Sequence, residues 1–218
     1  MAFLQSAPPR EPMLRAPAAV LLLIAALVVA HLARLWLAPE QSDAVIAQYA
    51  FIPARYSAAF LNAHDYDPGS LWDRAFPFVS YIFLHAGFMH LGMNCLWLLA
   101  LGAAVARRFG SLLFLLFFFI CGIAGAAAVL ALDWGSLMEV IGASGAISGL
   151  MGAAIRILPV QRPWNLEGPL LPLLSRPVLI FTAAWIAINL LMGLTSFGAN
   201  LTGGGVQAIA WQAHVGGY

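Results

Sequence analysis

The chain has 218 residues, of which 62% are hydrophobic and 9% charged, with a formal net charge of +1 and a mean hydropathy of +0.89. A soluble domain carries about 25% charged residues and about half apolar ones, so a soluble globular domain and a disordered tail are excluded. Ten Arg, no Lys and nine acidic residues exclude a nucleic-acid binder, and Cys95 and Cys121, both inside apolar runs, exclude a disulfide scaffold or a Cys-rich metal site.

What remains is an all-α polytopic membrane protein. A bilayer core about 30 Å thick takes roughly 20 mostly apolar residues per helix. Residues 1–16 read as an N-terminal tail and 17–37 as the first span. Arg10 and Arg15 ahead of that run resemble a signal peptide, but the run continues through Leu35, Trp36 and Leu37. That is long for a signal core, and the segment reads as an uncleaved span. A long loop follows, to about His85. Its second half holds Trp72, Phe76, Phe78, Tyr81 and Phe83 and is placed at the outer interface, where aromatic side chains prefer to lie. Joining 78–105 into one helix would need about 42 Å, too long without strong tilt.

Further spans are expected over 86–105, 112–132, 142–158 and 177–194. The loop of residues 159–176 is rich in Pro and basic. A sixth span begins near Val206 and the sequence ends at Tyr218. That piece is too short to cross, so the sequence reads as cut inside its sixth span. No internal repeat or separate soluble domain is visible.

Arginine asymmetry sets the orientation. With the N-terminus inside, Arg10, Arg15, Arg107, Arg108, Arg156, Arg162 and Arg176 are inner, and Arg34, Arg55 and Arg74 are outer. Seven of nine acidic residues fall outside. A cytoplasmic N-terminus follows, and the expected location is a bacterial inner (plasma) membrane.

A strongly polar side chain in hydrocarbon is costly and is a functional hypothesis by default. His90, Asn94, Ser144 and His214 stand out. His90 and Asn94, spaced i and i+4, share one helix face. Ser144 lies in Gly142-Ala143-Ser144-Gly145 at the mouth of the fourth span, and His214 lies early in the sixth. In this topology the second, fourth and sixth spans all enter from the outer face. Four polar residues therefore reach a similar depth in one leaflet, within about 12 Å of the surface.

A Ser hydroxyl needs a base within hydrogen-bond reach, and His214 can supply it. His90, the Asn94 amide and the Ser144 N–H at a helix N-terminus can hold an oxyanion. No Asp or Glu lies in the fourth or sixth span, so a dyad is expected rather than a triad. Gly142, Gly145, Gly149 and Gly217 read as helix-packing glycines that let two helices approach closely. The bland readings stand beside these. A lone intramembrane Ser usually bonds its own helix, and small-residue runs are usually packing seams. Ser148, one turn on, reads as structural. His85 reads as interfacial or supporting, and His31 and His64 as ordinary interface and loop residues.

The stretch from His85 through His90 to Asn94, followed by Gly102 and Arg108, resembles the second span of rhomboid intramembrane serine proteases. Gly142-Ala143-Ser144-Gly145 is similar to their nucleophile motif, and Ala213-His214 with Gly217 to their sixth-span motif. The resemblance runs from about Trp72 to Tyr218. It implies a rhomboid-like six-helix bundle, here with the sixth helix truncated, and a water-accessible cavity opening outward. It implies Ser144 as nucleophile, His214 as general base, and His90, Asn94 and the Ser144 N–H as the oxyanion hole. No cofactor and no metal is implied. The implied partners are single-span transmembrane substrates, cut near their outer ends, and membrane lipids.

The sequence departs from the family pattern in places. Ser148 stands where many members stack an aromatic residue on the base, and Ala106 replaces a common Glu. Trp72 and Arg74 are separated by Asp73 where the family has a Trp-Arg pair. A catalytically inactive rhomboid-like protein that binds transmembrane helices is one alternative. A proton-coupled transporter using His90 and His214 is another.

Overall fold

The computed structural model describes residues 16–157, 168–195 and 210–218. Residues 1–15 of the expected tail, 159–167 of the 159–176 loop and 206–209 of the expected sixth span lie outside the described residues. Within them every extended element is helical, apart from one antiparallel bridge between Phe51 and Val140.

Helix α1 (Ala18–Leu35) buries Ala19, Val20, Leu23, Leu27, His31 and Arg34 along one stripe, while Leu21, Leu22, Val29 and Leu32 face outward. In a bilayer the outward leucines meet lipid as apolar as themselves, so their exposure costs nothing. The buried end of the stripe departs from the expected interface. His31 is 2% exposed and meets the Phe88 ring edge-on at 5.1 Å. Arg34 is buried too and donates to the His85 carbonyl at 2.5 Å, tying α1 to the chain just ahead of His90.

The long loop is built rather than free. It contains α2 (Pro39–Tyr49), α3 (Ala58–His64), α4 (Leu71–Ala75) and α5 (Pro77–Ser80). Paired bonds between Phe51 and Val140, 3.1 and 2.9 Å long, pin it to the segment ahead of Ser144. Phe51, Tyr56, Phe78 and Tyr81 pack as an aromatic cluster beneath it.

Helix α4 is held at its start by a capping box. The Ser70 N–H and Oγ–H donate to Asp73 Oδ2 at 2.9 and 2.7 Å, and the Asp73 N–H donates back to Ser70 Oγ at 3.3 Å. These bonds favour the charged carboxylate and hold Asp73 below the usual range. A depressed folded value gives stabilisation that is present above the ordinary carboxylate range and fades as pH falls through the folded value. The expected result is that amide protection at Ser70 declines in acid, and that Asp73→Asn flattens this dependence. Hydrogen exchange followed by mass spectrometry measures it, and protection unchanged down to about pH 3 would refute the coupling.

Helix α6 (Phe88–Phe109) carries one π turn at Leu98–Gly102. It begins three residues after His85 and runs past the expected 105. Helix α7 (Ser111–Leu132) buries Phe114, Phe118, Cys121, Gly122, Gly125, Ala126 and Val129, a stripe at helical period. Helix α8 (Ser144–Ile157) starts at Ser144 itself, not at 142. Its 14 residues make about 21 Å, less than a bilayer core. It can be short because it is central: Gly145 through Met151 are all buried among other helices. Helix α9 (Arg176–Leu194) is peripheral, and α10 (Trp211–Gly217) packs chiefly on α7 and α8. α1, α6, α7 and the Arg176–Gly193 stretch of α9 are long and apolar enough to cross a membrane. The molecule is an integral membrane helical bundle.

Candidate active site

Three carbonyl and glycine features set the turn ahead of Ser144. The Gly142 N–H donates to the Tyr81 carbonyl at 2.9 Å, and Gly142 has φ +112°, a backbone region that side chains rarely adopt. A β-carbon there would also sit 2.6 Å from His90 Nε2. Gly142 therefore lies outside the seam between α8 and α10; it lets the turn pack against the His90 ring of α6. The helix begins only after this turn, because an αR residue at that φ is impossible. Ser144 is then the first residue of α8, where the N–H groups have no acceptor within the helix.

Gly145, Gly149 and Gly217 do form the seam. A β-carbon on Gly145 would lie 3.1 Å from the Ala213 carbonyl oxygen, and one on Gly149 would lie 2.6 Å from that of Gly217. A β-carbon on Gly217 would press closer still on the Gly145 carbonyl oxygen. Backbone on backbone, α8 and α10 come near enough for short side chains to touch across them. Between α7 and α8 the Tyr81 hydroxyl donates to the Gly122 carbonyl at 2.7 Å and fills the space beside Gly145.

The result is direct: His214 Nε2 lies 2.8 Å from Ser144 Oγ. Both side chains are part-buried. Ser148 donates to the Ser144 carbonyl at 2.9 Å, so its hydroxyl serves its own helix. Asn94 is 4% exposed and donates from Nδ2 to the His90 carbonyl at 2.8 Å. His90 Nδ1 accepts from the Ala86 N–H at 3.4 Å, which leaves Nε2 turned toward Gly142. The His90 ring stands edge-on to that of the fully buried His85, 5.0 Å between centroids. His90, Asn94, Ser144 and His214 thus share one neighbourhood, as donors and an acceptor around the start of α8.

One buried polar side chain beside the Ser–His pair escaped the sequence reading. Asn189 of α9 places Oδ1 2.7 Å from His214 Nδ1. It sits in an apolar run expected to span, and the rule that singled out Asn94 applies to it equally. Gln212, two residues before His214, donates to Asp133 Oδ2 at 2.7 Å and ties α10 to the end of α7. Among the described residues no group of three or more metal-ligating side chains occurs.

A polytopic helical membrane protein with a Ser–His pair inside its bundle is the class that fold and site define. The family model described as Rhomboid domain matches residues 68–218, and the chain belongs to the rhomboid family. It is 39% identical over 89 residues to "Rhomboid protease GluP" of Bacillus subtilis (strain 168), covering 41% of this chain and 16% of that protein. It is 34% identical over 77 residues to "RHOMBOID-like protein 5" of Arabidopsis thaliana, covering 35% of this chain and 25% of that one. The matched stretches are thus a quarter or less of these relatives' lengths.

Proposed function

We propose that the protein is an intramembrane serine endopeptidase that cleaves the transmembrane helices of single-span membrane proteins. The observation that carries this is the 2.8 Å contact between His214 Nε2 and Ser144 Oγ. Membership of the rhomboid family and the likeness to a rhomboid protease support it.

In this reading the Ser144 Oγ–H donates its proton to His214 Nε2 as Oγ attacks the scissile carbonyl. The carbonyl oxygen takes up the negative charge, held by the Ser144 N–H and by His90 and Asn94 as donors. The His214 imidazolium then protonates the leaving amine. Water next attacks the acyl-enzyme with His214 again as base, and Ser144 is regenerated. In this reading the protein lies in a bacterial inner membrane; the arginine distribution supports an N-terminus in the cytoplasm, so that the site opens to the outer leaflet.

A fluorophosphonate tests the chemistry without a known substrate. Oγ attacks phosphorus and fluoride leaves, which labels only a hydroxyl activated by a base. Stoichiometric labelling of Ser144 in the full chain is expected, with labelling lost in His214→Ala. A folded protein that is labelled at neither Ser144 nor any other serine would instead fit a helix-binding, inactive rhomboid-like protein.

A further inference from the structure

α9 is a poor place for a buried amide. Ile180, Ile188 and Leu191 are exposed on it, and most of its surface is outward. Asn189 is nevertheless 5% exposed and turned inward. A strongly polar group on an apolar helix is costly unless its bonds are made. Both ends of this amide make them. Nδ2 donates to the Trp185 carbonyl at 2.8 Å, and Oδ1 lies 2.7 Å from His214 Nδ1.

These two contacts fix the amide's orientation. The Trp185 carbonyl can only accept, so the NH₂ end must face it and the oxygen must face His214. An amide oxygen cannot donate, so the proton of the neutral imidazole has to be on Nδ1. Nε2 then carries the lone pair, and it is Nε2 that faces Ser144 Oγ at 2.8 Å. The Trp185 carbonyl thus determines, through Asn189, which nitrogen of His214 can act as base.

We infer that Asn189 is a positioning residue for the peptidase reaction, holding His214 in the Nδ1–H tautomer and in the plane that aims Nε2 at Ser144. The inference rests on the peptidase reading. When Nε2 takes the Ser144 proton, the Nδ1–H bond to Oδ1 becomes charge-assisted and strengthens, so the support is greatest where positive charge develops. No proton passes to Asn189. Ser148, bonded to its own helix, offers the imidazole no comparable hold.

The test uses the full chain in detergent or liposomes with a single-span substrate. Asn189→Leu keeps approximate volume and removes the acceptor. Asn189→Asp keeps shape and acceptor. The Leu variant is expected to lose about 10–10²-fold in kcat at unchanged KM, part of the 10²–10⁴ that general-base catalysis supplies. The Asp variant is expected to regain at least about tenfold over Leu, since its oxygen restores the tautomer. Nitrogen NMR of ¹⁵N-histidine-labelled protein is expected to show His214 protonated at Nδ1 in the wild type and as a tautomer mixture in Asn189→Leu. Wild-type kcat in the Leu variant overturns the role of Asn189 alone, and so does a rate no better in Asp than in Leu. If the Leu variant does not fold, the wild-type spectrum decides: a His214 proton on Nε2 overturns the inference. A wild-type chain that neither cleaves nor is labelled at Ser144 overturns the peptidase reading itself.

Discussion

Ser144→Ala is expected to reduce cleavage of a single-span substrate by about 10⁴-fold or more, with the melting temperature in detergent essentially unchanged. The two halves of this expectation come from different observations. Ser144 Oγ meets His214 Nε2, and Ser148 bonds the Ser144 carbonyl rather than the hydroxyl. Removing Oγ therefore deletes the nucleophile while the bonds that stabilise α8 are kept. In the proposed mechanism the oxyanion donors survive, so any residual rate reports on them. Ser148 is not expected to substitute, because it stands one turn deeper with its hydroxyl committed. The decisive measurements are cleavage rate by gel or fluorescence and thermal unfolding of the same preparation. Undiminished cleavage in this variant would remove Ser144 from the mechanism; lost cleavage with a collapsed melt would make its role structural.

Gly149→Val is expected to cost about 1–3 kcal/mol or more in stability and about 10² or more in cleavage rate. Gly149 sits where α7, α8 and α10 meet. A β-carbon on it would overlap the Cys121 side chain and lie 2.6 Å from the Gly217 carbonyl oxygen. Cys121 is itself buried in α7, and the other obstacle is backbone, so neither can swing aside as the tip of a flexible side chain would. α10 must move away from α8, and His214, one turn before Gly217, moves with it. A displacement near 1 Å is enough to take the base out of reach of Oγ. Gly92→Ala is the control: a β-carbon there meets nothing within 4 Å, and removing a glycine from inside α6 should be neutral or mildly stabilising. Thermal unfolding and cleavage assays on both variants measure the effect. A Gly149→Val protein with wild-type melt and rate would mean that the seam is not the element that holds the pair together.

Much of the architecture was legible because the bilayer as solvent is an exacting one. Backbone polar groups inside hydrocarbon must be satisfied within the segment, so long apolar runs have to be helices. That is why 17–37, 112–132 and 177–194 coincide closely with α1, α7 and α9. Periodicity could not show that α8 begins at Ser144 instead of 142. That boundary is set by the φ of Gly142 and its bond to the Tyr81 carbonyl, a partner 61 positions away in sequence. Arg34, near the end of the first span, was counted on the outer side, and no buried partner for it could be read from the sequence. The His85 carbonyl gave it a buried acceptor.

By itself, the order of residues determined a membrane helical bundle, its family resemblance, and the hydroxyl and imidazole worth pairing. Those follow from composition, run length and short motifs, each a property of a local stretch. The tertiary structure alone decided that Ser144 and His214 touch, that Gly142 serves a turn while Gly145, Gly149 and Gly217 serve a seam, and that Asn189 reaches the far side of the imidazole. Each of these is a distance between groups on different helices. Such a distance depends on how closely backbones approach, which is fixed by the packing of the assembled bundle and written in no single segment.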